Sequence, residues 1–197
     1  MSRGARTRPS TLVGAWVGNG LVTNLGDFES IATTTVGAGG TATITFNNIA
    51  STYKHLQIRA IGRTDRASQT LDSFRIQFNS ITTTSEYRSH FVYGSGSSVA
   101  SADEGNTAGI VAYRMTASSS TSGMLGASIV DILDYANTNK HKTSRCLGGT
   151  DQNGSGEVYV GSGVWMNTAA ISRIDIVPNI GTNFVQHSQF ALYGIRG

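Results

Sequence analysis

The sequence predicts an all-β protein: an antiparallel β-sandwich with an extended N-terminal arm. Three observations carry that expectation. From Phe28 onward apolar residues recur with period two, the spacing of strands with one buried and one wet face. Only 14% of residues are charged, against a usual share of about 25%; Gly, Ser, Thr and Asn take the place of the Lys and Glu of helical proteins. The chain closes on FVQHSQFALYGIRG, Phe184 to Gly197, an aromatic-rich strand running almost to the last residue. A terminus normally frays unless a sheet pairs it down. Phe190 and Leu192 share one face, and Ala191, Tyr193 and Ile195 the other, so this strand is expected to be covered on both sides.

A chain of 197 residues suits one sizeable β domain, which at this length buries roughly 70% of its unfolded surface. With 39% hydrophobic residues spaced at period two, disorder is excluded. Residues 1–26 show no clear period and carry Gly14, Gly18, Gly20 and Gly26; they read as an extended arm, with the sandwich over 27–197. Arg3, Arg6 and Arg8 meet no acidic residue before Asp27, and the net charge is +3. Two readings stand for the arm: a solvated start, or an anchor that orders against an acidic partner surface. Nucleic acid fits less well, because the basic run is short and not interleaved with aromatics. Leu12, Val13, Trp16 and Val17 are the arm's candidate anchors, since a Trp amid glycines is the kind of residue that dominates an interface. The run from Leu12 to Val17 is too short for a membrane span and lacks a cleavage pattern, so neither a signal peptide nor a transmembrane helix is expected. Cys146 is the single cysteine; the fold stands without an internal disulfide, and the thiol reads as a small buried hydrophobe.

Taken in order, Gly37 to Gly40 reads as a tight turn. Thr41 to Asn47 places Ala42, Ile44 and Phe46 on one face. Lys54 to Ile61 points Leu56, Ile58 and Ala60 inward and His55, Gln57 and Arg59 outward. In Ser73 to Asn79, Phe74, Ile76 and Phe78 alternate with Arg75 and Gln77. Gly62 to Asp72 and Ser95 to Gly109 are polar and read as surface loops. Further strands are expected over Tyr87 to Tyr93, Ile110 to Met115, Lys142 to Leu147, Glu157 to Trp165 and Ile171 to Val177, where Pro178 marks a stop. Met124 to Leu133 suits a helix face or a buried strand; Gly126 and the β-branched pair Ile129 and Val130 favour strand. The total, about ten strands at regular spacing, is the pattern of a sandwich, jelly roll or barrel.

Candidate chemistry is sparse. Gly-Ser-Gly triplets begin at Gly94, Gly154 and Gly161, but none lies in a Gly-x-Ser-x-Gly elbow; they read as turns. His55, His90, His141 and His187 are scattered without zinc-ligand spacing. Asp103 with Glu104, and Asp131 with Asp134, are the carboxylate pairs a glycosidase would need. The second pair lies in an apolar run, where an ionised group must be paired, and Lys140, Lys142 or Arg145 would serve. Asp151 to Glu157 alternates oxygen ligands about a glycine turn as calcium loops do, and the same letters make an ordinary hairpin. No catalytic, cofactor or metal residue is assigned.

Three stretches together carry a resemblance: TYKHLQIRAIGR (Thr52 to Arg63), DYANTNKHKT (Asp134 to Thr143) and the run from Val164 to Gly197. The chain from about residue 28 resembles small β-sandwich virion proteins of tailed bacteriophages, of head, collar or tail-fibre type. The resemblance implies a jelly-roll-like sandwich that self-associates, often as a homotrimer, among other virion proteins of the capsid, neck or tail, with no catalytic residues and no cofactor. In these stretches Trp165 with Ala169 to Ile171 reads as a corner capping the core, the lysines of Asn137 to Lys142 as the wet face of a turn, and Tyr193 as a hydroxyl donor to backbone. The expectation is therefore a non-enzymatic virion structural protein attached through its arm and assembled in the host cytoplasm. The alternative is a module binding host-surface glycan or receptor through Tyr87, Tyr93, Tyr113, Tyr135 or Tyr159; a depolymerase using the carboxylates is the third reading.

Overall fold

Twelve strands form in the computed structural model, which describes residues 27–197. The strands are β1 (Phe28–Thr35), β2 (Ile44–Phe46), β3 (His55–Gly62), β4 (Leu71–Phe78), β5 (Tyr87–Gly94) and β6 (Val99–Gly105), followed by β7 (Ile110–Thr116), β8 (Gly126–Leu133), β9 (Lys142–Asp151), β10 (Gly156–Trp165), β11 (Ile174–Pro178) and β12 (Gln189–Ile195). They form an eight-stranded sheet in the order β1-β12-β3-β8-β9-β10-β5-β6 and a four-stranded sheet in the order β2-β11-β4-β7. Every ladder within them is antiparallel.

The expected jelly roll is present. Remove β5, β6, β9 and β10, and two four-stranded sheets remain, β1-β12-β3-β8 against β2-β11-β4-β7. The chain crosses between them at every connection but β4 to β7, which is the double Greek key of that architecture. The four additional strands all join one sheet and double its width.

Inward phases of the two sheets meet in a core of Leu56, Ile58, Phe74, Ile76, Phe78 and Phe190, each fully buried. Phe74 and Phe190 meet edge to face at 6.3 Å and tie the sheets together. At one corner Trp165 stacks on Tyr87 at 6.2 Å and packs against Phe78 at 5.4 Å, and its indole N–H donates to Glu86 Oε2 at 3.0 Å. That is the capping corner the sequence predicts. Burial pushes the Tyr87 phenol up to about 12.

The closing strand β12 lies between β1 and β3. Phe190, Leu192 and Ala191 are buried, while Tyr193 and Ile195 are half-covered, so shielding of the second face is partial. Tyr193 lies under the Arg59 guanidinium at 5.0 Å. The hydroxyl-to-backbone role belongs instead to Tyr87, which donates to Ile81 O, and Tyr135, which donates to Ala50 O.

Other expectations change in tertiary context. Ser95 to Gly109 is not all loop: it contains β6, a polar edge strand that exists because β5 offers a free ladder. Gly62 to Asp72 ends inside β4, and Asp72 is fully buried, accepting from Thr64 Oγ1 at 2.7 Å and from the Gly181 N–H at 3.0 Å. The glycines of the third Gly-Ser-Gly triplet are in mid-strand β10 rather than a turn; a Cβ on Gly161 would meet the Tyr159 ring, and one on Gly163 would meet Ile110. Gly37 to Gly40 is the expected turn, closed by Gly40 N–H to Gly37 O at 3.2 Å, and Met124 to Leu133 resolves as strand β8. The arm over residues 1–26, with Leu12, Val13, Trp16 and Val17, lies outside the described residues.

Candidate interaction surface

In the eight-stranded sheet the outward phase is the one period two predicts to be wet, yet several strands are apolar on both phases. Ladder register sets these residues in rows. One row runs Ile129, Leu147, Val160, Val92 across β8, β9, β10 and β5, each directly opposite the next. Arg59 and Ser101 terminate it. The adjacent row runs Ile61, Ala127, Gly149, Val158, Gly94, Val99. Its two glycines add no side chain, so the face stays level there.

The exposure decides what this means. Leu147 is 54% exposed, Val160 53%, Val158 64% and Val99 78%. Among the described residues ten large hydrophobics are exposed, and Ile61, Val92 and Ile129 bring the number on these two rows to seven of them. Scattered surface hydrophobics are normal, but a contiguous apolar patch with a polar border marks an interaction site.

The border is the next row: Gln57, Asp131, Arg145, Ser162, His90 and Asp103 in register. Asp131 accepts from Arg145 Nε at 2.9 Å and Gln57 Nε2 at 2.8 Å, so the border is electrically balanced there. Between apolar and polar rows the sheet forms a shallow depression of ≈ 730 Å³ floored by Val92 and Val160 and edged by His90, Asp103, Arg145 and Ser162.

The residues nominated for chemistry are occupied structurally. Asp134 is gripped by Lys54 at 2.9 Å and by Lys140; the Lys140 hydrogen bond, then that of Lys54, holds its carboxyl down at about 2. His55 Nδ1 accepts the Asp134 backbone N–H at 2.9 Å. Asp131 and Asp134 thus find the partners expected at Arg145 and Lys140. Lys142 does not: it is fully buried and donates to the carbonyls of Asn137, Lys140 and Thr168 at 2.5, 3.1 and 2.9 Å. Asp103 and Glu104 lie on edge strand β6. Asp151 caps its own turn by accepting from Asn153 N–H at 2.9 Å, and Glu157 pairs with Arg114 at 2.5 Å. Among the described residues no three His, Cys, Asp or Glu are grouped to hold a metal. Cys146 is buried, as expected.

Of the five tyrosines nominated as a sugar platform, Tyr87, Tyr135 and Tyr159 are in the core. Tyr93 is half-buried beside Phe91, ring centroids 6.1 Å apart; Tyr113 belongs to β7. None of the seven apolar face residues was singled out as a contact in the sequence. The available signal was apolar character on consecutive positions, as in Val158-Tyr159-Val160 and Ile129-Val130, which period-two reasoning assigns to burial.

No family model matches the chain, and no curated protein does. Among solved structures, a carbohydrate-binding module (CBM40) of the Ruminococcus gnavus IT-sialidase, bound to α2,6-sialyllactose, covers 83% of this chain and 92% of its own at 9% identity, with a TM-score of 0.30. Similarity at that level carries no ligand from one chain to the other. Among the described residues no helix is long and apolar enough to cross a membrane.

Proposed function

We propose that this chain is a non-enzymatic structural protein of a tailed-bacteriophage particle whose work is to hold copies of itself and neighbouring virion proteins together. One observation carries the reading: the seven-residue apolar face on the outside of the eight-stranded sheet, which the described residues leave against water. The jelly-roll topology and the sequence resemblance from residue 28 onward support it, the former because viral shells are among the uses of that architecture. Light scattering on the full chain tests it. A stable oligomer is expected, at three times the chain mass if the trimer implied by the resemblance forms. Leu147→Lys with Val160→Lys should return it to a monomer with an unchanged β spectrum. A native chain that stays monomeric at about 100 µM, well above the Kd of a specific interface, overturns the reading.

A glycan-binding module is the second reading, and one feature favours it. Phe91 and Tyr93 reach a cleft of ≈ 290 Å³ shared with Arg66, Arg114 and Asn179, the mixture of ring and hydrogen-bonding groups that sugar sites use. Saturable binding on a glycan array, lost in Tyr93→Ala, would support it; a blank array disposes of it.

A further inference from the structure

We propose that the apolar rows of the eight-stranded sheet are the receptor for the uncharged N-terminal segment, residues 9–26, of a neighbouring copy of this chain. The inference rests on the assembly reading and names the partner of its face. Between Pro9 and Gly26 there is no charged residue. The stretch carries Leu12, Val13, Trp16 and Val17, and then Leu21, Val22 and Leu25. It therefore matches in chemistry a face whose two central rows also lack charge. Water is a poor solvent for both, and burying each against the other is favourable in proportion to the apolar surface removed from water.

Where the segment joins the fold agrees with this. Phe28 begins edge strand β1 opposite Ile195, is 51% exposed and has the Arg59 guanidinium 5.9 Å above its ring, so the chain enters at the rim of the same outer surface. Eight strands at about 4.8 Å spacing make a face roughly 34 Å wide, while eighteen extended residues reach about 60 Å. The segment thus reaches further than the full width of the face, enough to extend beyond its own edge strand to a copy docked beside it. Its own sheet is also within reach, but a segment closed on its own face would spend the large apolar patch and leave assembly none. Exchange between copies instead puts the patch to use in assembly. Specificity comes from the border: the Asp131–Arg145 pair and the His90–Asp103 row offer no apolar surface, so the occupant is confined to the two rows beside them.

Disulfide trapping in the full-length chain tests this. Two variants, both in a Cys146→Ala background and carrying different tags, are mixed and oxidised: one has Trp16→Cys, the other Leu147→Cys. Pairs at Leu12, Val13 or Val17 against Val160 cover other registers. A disulfide between differently tagged chains, identified by peptide mass, is the expected result. Adding Val160→Lys to the Leu147→Cys chain should lower its yield about tenfold or more, because an unpaired ammonium would be buried. A chain carrying both cysteines that closes only on itself overturns the inference. So does an oligomer in which no arm-to-face pair cross-links, an outcome that leaves the assembly reading standing; a monomeric native chain removes both.

Discussion

Lys142 shows how much a single side chain holds in this protein. It begins β9 on the inward phase, and its ammonium gathers three carbonyls from the turn after β8 and from the segment after β10. Removing the ammonium takes a donor from those three carbonyls, whose residues are exposed and open to water, so Lys142→Met is expected to cost about 1–2 kcal/mol, read as a lowered urea midpoint at unchanged slope. Asp134 works at the same turn by charge. Its φ of 47° is one that Asn also tolerates, so Asp134→Asn removes the charge and keeps the backbone. Because the folded carboxyl is held at about 2, below its unfolded value, its contribution is complete above about pH 4 and is lost as pH falls toward 2. Lys54 and Lys140 are both more than half exposed, so water screens the pairs and the contribution is about 1 kcal/mol or less. Stability measured from pH 5 to pH 2 should fall less steeply in Asp134→Asn than in the native chain.

Among the elements, hairpin β9–β10 is legible in the sequence and the interior of β10 is not. The turn is Asn153-Gly154, with φ values of 56° and 108°, and Gln152 N–H donates to Ser155 O at 2.8 Å. Asn-Gly at two positive-φ positions is the strongest short-range hairpin signal. A Cβ on Gly154 meets nothing within 4 Å, so Gly154→Ala should cost only the conformational term, about 1 kcal/mol. Gly161 opens the same Gly-Ser-Gly triplet as Gly154 but follows Val160 in mid-strand, and the cause differs. There a Cβ would lie 1.9 Å from the Tyr159 Oη, inside a closed core, and Gly161→Ala should cost about 1–3 kcal/mol by overpacking. Thermal unfolding of the two variants separates strain from collision. β6 was hidden for a related reason: its VASADEG run has no apolar period, and only pairing with β5 makes it a strand.

Over the whole molecule, the doubled sheet creates the candidate surface. Jelly-roll strands β3 and β8 supply Ile61 and Ile129, but β9, β10, β5 and β6 supply the remaining five apolar positions, so the added strands build most of the face. An assembly held by such a face should respond weakly to salt, since few charges are involved, and its mass by light scattering should change little between 50 mM and 500 mM NaCl. A mass that collapses at high salt would point to the charged border instead.

Composition and period two determined the all-β class, most strand positions, the inward residues and the Asn-Gly turn, because these depend on neighbours one to four residues away. They also placed Asp131 and Asp134 with nearby cations, a consequence of the cost of burying an unpaired charge. Tertiary structure alone decided that β5, β6, β9 and β10 all extend one sheet, that Lys142 is enclosed, and that Val158 and Val160 face outward. Alternation says which residues share a side of a strand; only the assembled layers decide whether the second side is covered.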